Sequence, residues 1–106
     1  MKRREYIRQL LEEKKLGSAL SRMDYISSQF QETPNDLILT MGRYNRLKQD
    51  VEKKVIYPEQ VEISFQQILN AAIVIWENYF QNDRNPMLDE IVEPQDVGED
   101  PVWSAD

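Results

Sequence analysis

At 106 residues the chain has room for one small domain with one core, and its 41% hydrophobic content suits a globular protein. It has no histidine and no cysteine, which excludes Ser-His and Cys-His nucleophile pairs, histidine- or thiolate-ligated metals, and disulfides. The net charge of −6 is unevenly spread: residues 1–54 hold twelve Lys/Arg against eight Asp/Glu, while residues 83–106 hold one arginine against eight acids. Such a division bears on association rather than on fold.

Four helices follow in chain order. The first is predicted over residues 3–15, where Tyr6, Ile7, Leu10 and Leu11 recur at helical spacing. Gly17 is its expected stop, with Lys14 and Lys15 matching the negative helix end. The second is predicted over residues 18–31, with Ala19, Leu20, Met23, Ile26 and Phe30 as its apolar stripe. The third opens at Thr33-Pro34-Asn35-Asp36, where threonine can cap, proline suits the first helical position and the aspartate favours the N-terminus. It runs to about residue 54 on the stripe Leu37, Met41, Tyr44, Leu47 and Val51.

Pro58-Glu59-Gln60 starts the fourth helix, predicted to reach residue 82. Val61, Phe65, Ile68, Leu69, Ala72, Ile75, Trp76 and Tyr79 form one wide apolar arc. The opposite side carries Ile63, Gln67, Asn70, Val74 and Gln81, none of them charged. That side is either further buried in a small bundle or an association face.

Beyond residue 82 the helical period ends. Pro86, Pro94, Pro101 and Gly98 interrupt an acidic stretch that buries too little apolar area to offset its ordering entropy. Met87, Leu88, Ile91, Val92, Val97, Val102 and Trp103 leave a second reading open. In it the segment docks, as an acidic-hydrophobic peptide, on the basic side of the bundle or on a partner. The expected architecture is all-α: a compact four-helix bundle of two short and two long helices over residues 1–82, then a disordered, acidic, proline-containing C-terminal tail over 83–106. Three glycines are too few for a turn-rich β fold. The longest apolar run, residues 71–76, falls well short of a membrane span, and the N-terminus lacks a signal-peptide pattern, so a soluble, cytoplasmic protein is expected.

The densest motif lies in the third helix, at Gly42-Arg43-Tyr44-Asn45. A glycine inside a helix costs about 1 kcal/mol against alanine, and close approach of another helix is the expected reason for it. Tyr44 points to the core, with its hydroxyl at the rim. Asn45 flanks the stripe, and its amide is expected to bridge adjacent helices. Arg43 faces outward with Leu39, Arg46 and Asp50. This side is either a solvated surface with an Arg46–Asp50 pair or a partner-binding face, since interfaces concentrate arginine and apolar anchors.

The stretch from residue 36 to 69 resembles the type-eleven effector-associated domain of bacterial conflict systems, and the resemblance extends over about residues 4–82. Gly42, Arg43, Tyr44, Asn45 and Leu47 match that family's helix, and Ile68 and Ala71 match the isoleucine and alanine of its last helix. The chain departs from the family at Tyr57-Pro58, where members carry Ser or Thr, and at Gln66 and Gln67, where they carry a basic residue and asparagine. The resemblance implies a homotypic interaction module, one copy fused to an effector and another to a sensor or ATPase, whose pairing joins the two.

Enzymatic readings fail on inventory, and no cofactor is expected. Glu-x-x-His pairs are absent, Gly42 stands alone rather than in a phosphate-binding loop, and Glu12, Glu13, Glu52 and Glu62 sit on solvated faces. Lys2, Arg3, Arg4, Arg8, Arg43, Arg46 and Lys48 form a candidate basic patch, but the acidic tail competes for it, so no nucleic acid is expected.

Two functions remain. One is an adaptor binding a similar domain, or a second copy of itself, through Leu39, Arg43 and Arg46 on the third helix and Ile63, Gln67 and Val74 on the fourth. The two sets are expected to lie on different faces, so that one copy's basic face meets an acidic or uncharged face involving the fourth helix of another. Gly42, Tyr44, Asn45, Leu47, Ile68, Ala71 and Trp76 then hold the fold. The other function is a small acidic inhibitor or antitoxin-like regulator acting through its C-terminal tail.

Overall fold

The structure is a computed structural model that describes residues 1–29 and 33–93. Its helices are α1 (Arg3–Glu12), α2 (Leu16–Gln29), α3 (Asn35–Glu52) and α4 (Pro58–Ile75). The expected all-α bundle of two shorter and two longer helices is present. Phe30, assigned to the second stripe, lies outside the described residues, as do residues 94–106. Among the described residues no helix is long and apolar enough to cross a membrane.

The helix interiors follow the apolar periods. Tyr6, Ile7, Leu10 and Leu11 of α1, with Ala19, Leu20, Met23 and Ile26 of α2, are buried against Leu37, Tyr44 and Leu47 of α3 and Ile68, Leu69, Ala72 and Ile75 of α4. The Arg22 guanidinium lies over the Tyr6 ring, 4.8 Å from its centroid, and tightens α2 against α1.

Helix ends depart from the expectation. Gly17 does not stop α1; it lies inside α2. The stop is Lys14, which takes the left-handed conformation at φ 61°. The Lys14 amide donates to the Leu11 carbonyl at 3.2 Å and the Lys15 amide to the Leu10 carbonyl at 2.8 Å. Together these close a Schellman motif. Lys54, at φ 57°, ends α3 the same way, with Lys54 bonded to Val51 and Val55 to Asp50. Thr33 does not cap α3. Pro34 precedes its first residue and offers its carbonyl to the amides of Leu37 and Ile38. Pro58 opens α4 as expected.

After Ile75 the chain widens into a π-helical turn, Trp76–Phe80, in which the Gln81 amide reaches back five residues to the Trp76 carbonyl at 2.7 Å. A turn bonded over five residues holds more residues than an α turn, so Phe80 rather than Tyr79 returns to the core. Trp76 and Phe80 are buried and stack, their ring centroids 6.0 Å apart. Tyr79, expected in the apolar arc, is 42% exposed.

Packed structure also continues past residue 82, where a disordered tail was expected. The Asn85 side chain caps a 3-10 turn, Pro86–Asp89, by accepting from the Met87 amide at 2.9 Å. This turn carries Leu88 fully into the core. The strap then meets the start of α1 through a single antiparallel bridge, Lys2 with Ile91. Arg3 donates its amide to the Glu90 carbonyl and Val92 its amide to the Met1 carbonyl, both at 2.8 Å. Arg4 donates to the carbonyls of Phe80, Gln81 and Asp83, satisfying groups that the end of the π turn leaves open. One anchoring leucine and two arginines thus order a segment that has no helical period.

Candidate functional site

α3 and α4 pair as an antiparallel hairpin, and their outer surfaces form one continuous face. Along α3, Asp36, Leu39, Arg43, Arg46 and Asp50 follow one another at alternating steps of three and four residues, which aligns them on one side of the helix. Two adjoining hollows lie between this row and α4. The first is bordered by Asp36, Leu39 and Arg43 from α3 and by Asn70, Ala71 and Val74 from α4. The second is bordered by Arg43, Arg46 and Asp50 on one side and Ser64 and Gln67 on the other. Arg43 belongs to both.

The expectation of two separate faces is therefore corrected. The antiparallel pairing of α3 and α4 brings the arginine row and the uncharged back of α4 side by side. Ile63 lies one turn before Gln67, outside both hollows. The uncharged back is not absorbed into the bundle: Val74 and Ile63 are each 51% exposed, and Leu39 is 63% exposed. Among the described residues, neither Arg43 nor Arg46 is ion-paired, so the Arg46–Asp50 pair is not formed.

Asp36, at the border of the first hollow, is met by Tyr79. The Tyr79 hydroxyl donates to the Asp36 carboxylate at 3.3 Å. The negative charge of Asp36, followed by this hydrogen bond, raises the phenol pKa above its ordinary value. Sequence reasoning missed both residues, because only the π turn brings Tyr79 out to this surface.

The motif residues divide into two groups. Tyr44, Leu47, Ile68 and Trp76 are buried, and Ala71 is half-buried at the wall of the first hollow. Asn45 is exposed at a groove between α2 and α3, beside Leu20 and Met41, and among the described residues its amide bridges no helices. Gly42 is exposed, and among the described residues a Cβ built on it would meet no atom within 4 Å beyond the adjoining helix backbone. Close approach within the bundle is thus not the reason for this glycine. It sits at the crest of α3, with Ile38 and Leu39 one turn before it and Asn45 and Arg46 one turn after. Ile38 is 53% exposed.

The remaining basic residues near the N-terminus are largely engaged. Arg3 pairs with Glu90 at 3.2 Å, Arg4 lies 3.7 Å from Asp89, and Arg8 pairs with Glu12. Among the described residues, no group of three or more acidic side chains is placed to hold a metal ion. What this surface offers is an exposed apolar and arginine-bearing face.

A model of the family described as Effector-associated domain 11 matches residues 2–80. No curated protein and no solved structure matches the chain.

Proposed function

The chain belongs to the Effector-associated domain 11 family, and from that membership we propose that it is a non-enzymatic adaptor, working in the cytoplasm as part of a bacterial defence system. It couples an effector to a sensor, such as an ATPase, by binding a protein that carries a like domain. The α3–α4 face is the docking surface: Leu39 and Val74 supply apolar anchors, and Arg43 and Arg46 supply charge at their border. The supporting observation is that Leu39 and Val74 stand exposed beside arginines that have no ionic partner among the described residues. Interfaces concentrate such combinations, with arginine providing orientation and the apolar groups most of the affinity.

The competing reading, an acidic inhibitor acting through residues 83–106, loses part of its binding segment. Leu88 is seated in the chain's own core and Glu90 is paired with Arg3.

The test compares the wild type with an Arg43→Glu/Arg46→Glu double variant in binding to an effector or sensor protein carrying a like domain. The variant is expected to keep the wild-type melting temperature and to bind at least tenfold more weakly. Wild-type binding should weaken as salt shortens the Debye length from about 10 Å to 3 Å. Unchanged binding in the folded variant excludes this face.

A further inference from the structure

We infer that Gly42 marks the point where α3 crosses α3 of a second copy, the two helices running antiparallel about a two-fold axis. This rests on the docking reading above and specifies its geometry. A glycine lowers the stability of a helix, and among the described residues nothing compensates for it: the position is exposed, and beyond the adjoining helix backbone no atom lies within 4 Å of a built Cβ. A missing side chain on the crest of a helix lets another backbone approach closely. Ile38 and Leu39, both more than half exposed, lie beside the gap and would be covered by such a crossing.

The charge pattern of α3 selects the direction. From residue 35 to 41 the helix carries Asp36 and no base; from 43 to 49 it carries Arg43, Arg46 and Lys48 and no acid. Gly42 divides the two halves. An antiparallel crossing at Gly42 lays the apolar, acidic half of each copy on the basic half of the other. Residues on the same flank of α3, at similar distances before and after the crossing, then meet. Asp36 and Leu39, which share the α4 side of α3 with Arg46, come alongside Arg46 of the second copy, with Leu39 on its aliphatic stem. A two-fold axis repeats each contact, so one favourable pairing counts twice. A parallel crossing would set the three bases of one copy against those of the other. The antiparallel arrangement also opposes the two helix dipoles.

The experiment measures self-association of the full chain by sedimentation and light scattering, with the melting temperature followed in parallel. Gly42→Leu is expected to melt no lower than the wild type, because its side chain meets nothing in the monomer, and to associate at least tenfold more weakly. Asp36→Arg and Arg46→Asp are each expected to associate poorly alone. Mixed in equal amounts they should form one-to-one pairs, since each then offers the charge the other needs. Wild-type association by Gly42→Leu, alongside lost partner binding by Arg43→Glu/Arg46→Glu, overturns the crossing and leaves the docking face intact. A wild-type chain that stays monomeric at several hundred micromolar, yet binds a like-domain protein through Arg43 and Arg46, overturns the second copy as occupant.

Discussion

Arg4 and Phe80 lie 76 positions apart in the chain, and the Arg4 guanidinium donates to the Phe80 carbonyl at 2.8 Å. The same side chain reaches the carbonyls of Gln81 and Asp83, so one residue of α1 fixes both the end of the π turn and the start of the strap, residues 83–93. Hydrogen bonds from a charged group contribute about 1.5–3 kcal/mol when lost from a partly buried site. Arg4→Ala is expected to destabilise the chain by that amount in chemical denaturation. Arg4→Lys should recover only part of it, because an ammonium lacks the planar fork. Leu88→Ala, which empties a fully buried site in the strap, is expected to cost about 2–5 kcal/mol. A chain ending at residue 82 should melt below the full chain. Equal melting temperatures would mean the strap contributes nothing.

Tyr44 and Trp76 are both buried aromatic residues of the central core. Replacing either by alanine removes a large ring from a packed site, at a cost of about 3–5 kcal/mol. In a domain of this size that approaches the whole folding free energy. Thermal melts of the two variants provide the check, and a near-wild-type midpoint for either would contradict its burial.

Lys14 and Lys54 hold left-handed backbone conformations that carry a steric penalty for a side chain and none for glycine. Lys14→Gly and Lys54→Gly are each expected to raise stability by about 1 kcal/mol, less whatever the lysine charge contributes at the helix end. Denaturant midpoints measured at high salt, where that charge term is screened, give the cleaner value. A loss of stability at high salt would refute the strain assignment.

The Tyr79 phenol should titrate above the ordinary tyrosine range because its ionised form would sit beside the Asp36 carboxylate. The contact favours the protonated phenol in the folded state. Its contribution is therefore complete below the unfolded tyrosine pKa of about 10 and is lost as pH rises through the higher folded value. Carbon-13 NMR of the tyrosine ring carbon bearing the hydroxyl should show this late transition. Asp36→Asn should bring it down, and an unmoved titration in that variant would show that Asp36 is not the cause.

Much of the bundle was legible because amphipathic period is a local property. Tyr6, Ile7, Leu10 and Leu11 declare the buried side of α1, and Ala19, Leu20, Met23 and Ile26 that of α2, before any partner is known. The helix stops were harder to read. A Schellman closure depends on where backbone amides find carbonyls, and Lys14 accepts it although Gly17 stood nearby as the expected breaker. The π turn gives no sequence signal of its own, so Tyr79, expected in the apolar arc, turned out to the surface and Phe80 took the core position. The strap has no period to detect. Leu39, Arg43, Arg46, Gln67 and Val74 could each be read as outward-facing from helical angle alone. Their union into a single face depends on how α3 pairs with α4, a relationship between segments distant in sequence.

The antiparallel bridge between Lys2 and Ile91 has a topological consequence. The first and last described residues emerge side by side, near the Phe80 end of α4. At a rise of about 1.5 Å per residue, they lie roughly 30 Å along that helix from the tip of the α3–α4 hairpin at Tyr57. At these two described residues the chain runs along the same edge of the bundle, with the hairpin tip free. Residues 1–93 are thereby suited to circular permutation: a short linker from Glu93 to Met1 and a new opening between Lys54 and Tyr57 would alter connectivity while leaving the packing of every helix as it is.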